Sequence, residues 1–176
     1  HKITIASVAP GPIRLIDEYK DRFSSNLEIN HQLIKPDQVV PLLETLKERL
    51  IFTDKEYATD EIESMYMGTE RIGLGIDKFH PLAQRSAVSF NDLAGLSFLV
   101  VQDTGPWEKL IEKHIPEAKF LYQKDLGSMK ELSQYSTFPF FYSNLTEKTS
   151  ATFKRFGNNN HTKIPIVDKN NHIELY

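Results

Sequence analysis

The run Ser97-Phe98-Leu99-Val100-Val101 has no polar side chain after its serine, and Gln102-Asp103-Thr104-Gly105-Pro106 follows it directly. An unbroken apolar strand is buried on both faces, as parallel strands are, and a parallel strand needs a crossover to return to its sheet. Gly105 and Pro106 open that crossover as a helix, with Trp107, Leu110, Ile111 and His114 recurring at helical spacing. This segment commits the chain to an α/β architecture built from strand, turn and helix.

The same unit occurs at the start of the chain. Ile3 and Ile5 alternate with polar neighbours, Ala9-Pro10-Gly11-Pro12 breaks the strand, and Ile13, Ile16 and Phe23 follow at helical spacing. Leu27, Ile29, His31 and Leu33 alternate as a second strand. Lys35-Pro36-Asp37 then turns the chain, with Asp37 placed to cap a helix striped by Val39, Leu42, Leu43, Leu46 and Leu50. Leu50-Ile51-Phe52 is the third strand. Residues 53–76 are expected to hold two strands, the second at Arg71–Ile76.

The pattern restarts after residues 77–81. Ser89 and Asp92 frame one helical turn stopped by Gly95, and Lys119–Tyr122 reads as a strand. Ser128 and Glu131 match a capping box. In Phe138-Pro139-Phe140-Phe141-Tyr142 the proline predicts an edge or terminal position. Thr146 to Phe156 reads as a helix stopped by Gly157, and Ile164/Ile166 and Ile173/Leu175 as two final strands. The chain thus reads as two successive β-α-β-α-β halves, whose ligands would lie at the carboxyl ends of the strands.

Several function classes fall away. The 176 residues carry 21 basic and 24 acidic side chains, a net charge of -3, too little for this chain to hold a nucleic-acid backbone by itself. With no cysteine there is no disulfide, thiolate metal site or cysteine nucleophile. The six histidines show no metal-ligand spacing, and no cofactor is expected. No apolar run approaches the roughly 18 residues of a membrane span, and the direct start into a strand-like segment gives the expectation of no signal peptide. No G-x-S-x-G or Walker loop is present, and Gly73-Leu74-Gly75 lies within a strand and lacks a third glycine. The apolar alternation is cut at Tyr176, so a fragment of a longer protein is expected.

Two stretches carry a family resemblance. Glu70-Arg71-Ile72-Gly73-Leu74-Gly75-Ile76-Asp77-Lys78-Phe79-His80-Pro81-Leu82-Ala83 and Val88-Ser89-Phe90-Asn91-Asp92-Leu93-Ala94-Gly95-Leu96-Ser97-Phe98-Leu99 resemble the effector-binding domain of LysR-type transcriptional regulators. Ile3–Phe23 looks like that family's first strand and helix, and Lys163–Asp168 like its late strand. The resemblance implies two Rossmann-like lobes with a hinge, the type-2 periplasmic-binding-protein-like fold. Lobe I would hold residues 1–77 plus 171–176, and lobe II residues 78–170.

It also implies a cytoplasmic homodimer or homotetramer that binds a small-molecule effector between its lobes. DNA would be reached through an N-terminal domain absent here, with no membrane involved. Two places depart from the family pattern: Lys47–Phe52 replaces a "Gly-x-Leu-Asp" context, and Tyr135–Phe140 replaces a glycine-rich turn. A solute-binding protein of a transporter would share the fold. A small enzyme on it would need a catalytic constellation that the sequence lacks.

On that reading the candidate ligand contacts lie at strand-to-helix turns. They are Ser7, Ala9, Pro10 and Gly11 after the first strand, Lys35 and Asp37 after the second, Gln102, Asp103 and Thr104 after Val101, and Ser128 at a later helix start. Main-chain amides at such starts suit an organic anion. Ile76, Asp77, Lys78 and Phe79, with Ile173 and Leu175, are the candidate hinge.

Overall fold

The computed structural model describes residues 2–148 and 156–176. They form two compact units. The first unit takes His1–Glu70, Thr104–Trp107 and Ile173–Tyr176, and the second takes Arg71–Asp103 and Glu108–His172.

In the first unit, strand β1 (Lys2–Ser7) leads into helix α1 (Pro10–Tyr19), β2 (Asn26–Ile29), α2 (Val39–Glu44) and β3 (Leu50–Phe52). All pairings are parallel and the sheet order is β2-β1-β3. Because β1 is central, it is the buried strand: Ile5 and Ala6 are 2% and 0% exposed. An order in which successive crossovers leave β1 on opposite sides makes a switch point, and the crevice opens outside the carboxyl ends of β1 and β3.

Two expectations fail here for local reasons. Asp37 does not cap α2. It lies inside a 3-10 turn, Pro36–Gln38, closed by the Gln38 side chain accepting from the Lys35 N–H at 2.8 Å. Helix α2 then lasts six residues, so Leu46 and Leu50 leave its stripe and are 70% and 51% exposed. The segment from Thr53 to Met67 forms no strand, and one long strand replaces the expected pair.

That strand is β4 (Gly68–Asp77), which begins in the first unit and ends in the second. The second unit adds β5 (Ser97–Val101), α3 (Pro106–His114, whose first two residues belong to the first unit), β6 (Lys119–Gln123), α4 (Leu126–Tyr135), β7 (Phe140–Ser143) and β8 (His161–Pro165). The order is β6-β5-β7-β4-β8, with β5 parallel to β6 and β7, and β4 antiparallel to β7 and β8. The segment β6-β5-β7 repeats the β2-β1-β3 arrangement. β9 (His172–Leu175) pairs with β4. The expected Thr146–Phe156 helix falls mostly outside the described residues, and its described start is a 3-10 turn, Thr146–Lys148.

Phe98, Leu99 and Leu74 have 0% exposure and form the heart of this unit. Pro139 stands just ahead of β7, the terminal position that spares an internal strand its missing donor. The Gly73-Leu74-Gly75 pattern has a packing cause. A Cβ on Gly73 would lie 2.4 Å from the Tyr142 ring, and one on Gly75 2.3 Å from the Phe140 ring. The aromatic side chains of β7 lie across the glycines of β4. Ser89 and Asp92 do make the expected turn: the Asp92 carboxylate accepts from the Ser89 N–H at 2.8 Å, and the Ser89 hydroxyl accepts from the Asp92 N–H at 3.3 Å. Helix α4 starts earlier than the capping-box reading placed it. Asp125 is its cap, accepting from the Ser128 N–H at 2.7 Å, so Ser128 lies within the first turn.

Candidate functional site

The carboxyl end of β1 is held by its own side chain. The Ser7 hydroxyl donates to the Ala9 carbonyl at 2.6 Å and accepts from the Ala9 N–H at 3.1 Å, and Ser7 is 0% exposed. Its carbonyl accepts from the Ile34 N–H at 3.0 Å, which ties the turn after β2 to the turn after β1. Ser7 thus shapes the loop and spends its hydroxyl on it.

Helix α1 begins Pro10-Gly11-Pro12, with no side-chain cap at Ala9. Two prolines in this turn leave only Gly11 and Ile13 with an N–H in its first four positions, which thins the amide set an anion site needs. A carboxylate of the protein already lies over this turn. A Cβ on Gly11 would sit 2.7 and 2.8 Å from the Glu70 carboxylate oxygens, so Gly11 is the space that Glu70 fills.

Glu70 is 2% exposed. Its Oε1 accepts from the Trp107 indole N–H at 3.2 Å. Negative charge near a helix start is favourable, and the charge of Glu70 also acts on Arg14. Burial draws the Arg14 guanidinium below its ordinary value, and Glu70 opposes that shift. Gly105 brings the start of α3 to the same place. A Cβ there would lie 2.3 Å from the Val8 carbonyl oxygen, and its φ is +61°. Backbone meets backbone at that point, which only glycine permits.

Ser7, Ala9, Pro10, Gly11 and Thr104 thus belong to the same unit as Glu70 and Trp107, with Gly11 directly against the Glu70 carboxylate. Lys35 and Asp37 are exposed, one and three residues beyond the Ile34–Ser7 bond. Gln102, Asp103 and Ser128 belong to the second unit. The Gln102 N–H donates to the Gln123 carbonyl at 2.8 Å, so it serves the β5–β6 edge. Asp103 adopts φ +57° and donates its N–H to Glu108 at 3.0 Å. Ser128 is half-buried in the first turn of α4. The chain passes between the units at Glu70–Arg71, Asp103–Thr104, Trp107–Glu108 and His172–Ile173, whereas Ile76, Asp77, Lys78 and Phe79 lie inside the second unit. Ile173 is at a boundary and Leu175 follows it in β9.

Sequence reasoning missed Glu70, Arg14 and the partnership with Trp107. A signal for Glu70 was present. Glu70, Ile72, Leu74 and Ile76 share one face of β4 by the period of two, and the three apolar members are buried. A lone carboxylate on an apolar face must bring a partner.

Among the described residues no cluster of His, Cys, Asp and Glu could hold a metal ion. No described helix is long and apolar enough to cross a membrane.

No family model matches the chain, and no curated protein matches it. Solved structures do. The reduced OxyR regulatory domain from Pseudomonas aeruginosa superposes with a TM-score of 0.72 at 11% identity, over 99% of this chain and 86% of that one. The BenM effector-binding domain with its effector benzoate gives 0.65 at 13% identity, over 99% and 81%. The regulatory domain of MetR from N. meningitidis, a LysR family regulator, gives 0.68 at 14%, over 100% and 83%. The chain spans 57% of a full-length OxyR from Pseudomonas aeruginosa. It has the fold of LysR-family regulatory domains, the two-unit α/β arrangement that the resemblance implied.

Proposed function

We propose that this chain is the ligand-sensing regulatory domain of a LysR-type transcription regulator. The observation that carries the reading is the repeated parallel order, β2-β1-β3 and β6-β5-β7, each with a strand-to-helix turn at the carboxyl end of its central strand. Those are the places where α/β sheets take ligands. The structural neighbours are regulatory domains, which favours this reading over a transporter's solute-binding protein.

The effector we assign is a small organic anion, as the BenM neighbour's benzoate is. Its contacts are the turns at Ser7–Gly11, Lys35–Asp37 and Gln102–Thr104, with Ser128. Glu70 covers the start of α1, so Lys35 and the turn at Gln102–Thr104 are the better anion contacts. The protein acts by shifting a conformational equilibrium and performs no covalent chemistry. DNA binding belongs to another segment of the full protein, which works in the cytoplasm as a homodimer or homotetramer.

The test is a thermal-shift screen of organic acids, followed by calorimetry on any hit. A specific effector at one hundred times its Kd should stabilise the fold by about 2.7 kcal/mol and raise Tm by roughly 5–10 °C. Lys35→Ala with Thr104→Ala should abolish the shift while leaving the unliganded Tm in place. A screen in which no acid raises Tm, or a hit indifferent to both substitutions, would overturn the assignment.

A further inference from the structure

The segment that links β3 to β4 in the first unit ends in side chains that alternate in what they touch. Ile62 is 8% exposed. The Ser64 hydroxyl donates to the Tyr57 carbonyl and accepts from the Tyr57 N–H at 2.9 Å. The Tyr66 hydroxyl lies 2.8 Å from Thr69 Oγ1, and its ring meets that of Tyr176 edge-on at 5.7 Å. The even-numbered side chains are thus engaged with the protein.

The odd-numbered ones are not. Glu63, Met65 and Met67 are exposed, the two methionines at 74% and 58%. The backbone that carries them is tied down, because the Met67 N–H donates to the Leu175 carbonyl at 2.7 Å. Met129, the third methionine of the chain, is 2% exposed, and there is no cysteine. Met65 and Met67 therefore present the sulfur atoms of this chain that solvent reaches.

Thioether sulfur is a soft, uncharged donor, which suits Cu(I) and leaves hard cations to oxygen ligands. Residues two apart lie at most about 7 Å from each other along a chain. Each methionine side chain has three rotatable bonds, so both sulfurs can close on one ion. Glu63 precedes Met65 by the same step of two. Its carboxylate brings one negative charge, the amount that balances a monovalent cation.

We infer that Glu63, Met65 and Met67 form a binding site for a soft monovalent cation, Cu(I) or its analogue Ag(I). The two thioethers hold the ion and the carboxylate balances its charge. This inference goes beyond the effector reading above and does not rest on it.

The experiment labels the methionine methyl groups with ¹³C and titrates the chain with Ag(I) in chloride-free buffer, and with Cu(I) under anaerobic conditions. The Met65 and Met67 resonances should move together with a single midpoint, while that of Met129 stays in place. Met65→Leu, a change at an exposed position, should leave Tm unaltered and weaken the Met67 response about tenfold or more, because one soft donor remains. Glu63→Gln should weaken both responses about threefold, the worth of an exposed charge contact. Zn(II) should move neither resonance. Methyl resonances that stay still in both Ag(I) and Cu(I) would overturn the site, and so would a Met67 midpoint unchanged by Met65→Leu. An unchanged midpoint in Glu63→Gln would remove the role of Glu63, and an equal response to Zn(II) would overturn the soft-ion class.

Discussion

The buried carboxylate of Glu70 accepts the indole N–H of Trp107 at 3.2 Å, linking the first residues of β4 to the first turn of α3 within one unit. Glu70 lies against Gly11 as well. The same carboxylate therefore serves two helix starts and offsets the burial of Arg14.

Replacing Glu70 should expose that dependence. Glu70→Ala leaves a half-buried guanidinium and a buried indole N–H uncompensated, and should cost about 3 kcal/mol. Glu70→Gln keeps an acceptor oxygen and should cost roughly half as much. Trp107 is the chain's single tryptophan, so its emission reports this site directly. Urea unfolding followed by fluorescence should show the lower midpoint, with a red-shifted native spectrum for Glu70→Ala.

Gly75 and Phe140 face each other across β4 and β7. Gly75→Ala places a methyl group 2.3 Å from the Phe140 ring and should destabilise the second unit by about 2–3 kcal/mol. Phe140→Leu makes room for the methyl. The double variant should therefore lose at least about 1 kcal/mol less than the two single losses added together. Urea midpoints of the four proteins decide it.

Asp92 gives the pH dependence a defined sign. Its carboxylate accepts the Ser89 N–H at 2.8 Å and pairs with Arg85 at 2.8 Å. The backbone bond first, and then Arg85, hold it below the usual carboxylate range. A carboxyl group with a lowered folded value stabilises the fold above its unfolded value, near ~3.9, and that stability is lost as pH falls through the folded value. Asp92→Asn should be less stable than the wild type at pH 7. The difference should close as acid protonates Asp92, which urea midpoints from pH 7 down to 2 will show.

Leu46 follows the cap of α2 with φ +58° and is 70% exposed. Helices favour glycine at that position, and a leucine there carries strain without burial in return. Leu46→Gly should stabilise the protein by about 0.5–1 kcal/mol, the relief of strain exceeding the entropy that glycine adds to the unfolded chain. A rise in Tm by calorimetry is the readout.

The α/β class and most of the strand and helix starts were legible in the chain. Pro10, Pro36 and Pro106 each open a helix or 3-10 turn, and Ser97–Val101 is the buried parallel strand that its apolar run announced. Helix ends were harder to read. The Val39–Leu50 stripe has a helical period, yet Thr45 closes the helix by donating its hydroxyl to the Pro41 carbonyl at 2.7 Å. A polar side chain that bonds back to the last turn competes with continuation, and periodicity does not register it. Ser128 was misread similarly, because Asp125 reached its N–H from outside the expected box.

Period, proline placement and apolar runs act over a few neighbouring residues, so the sequence by itself determined the succession of elements and the two-part α/β plan. The cluster around Glu70 was decided by the tertiary structure. A carboxylate stays buried only if Gly11 leaves it room and Trp107 and Arg14 come to meet it, from positions far apart along the chain.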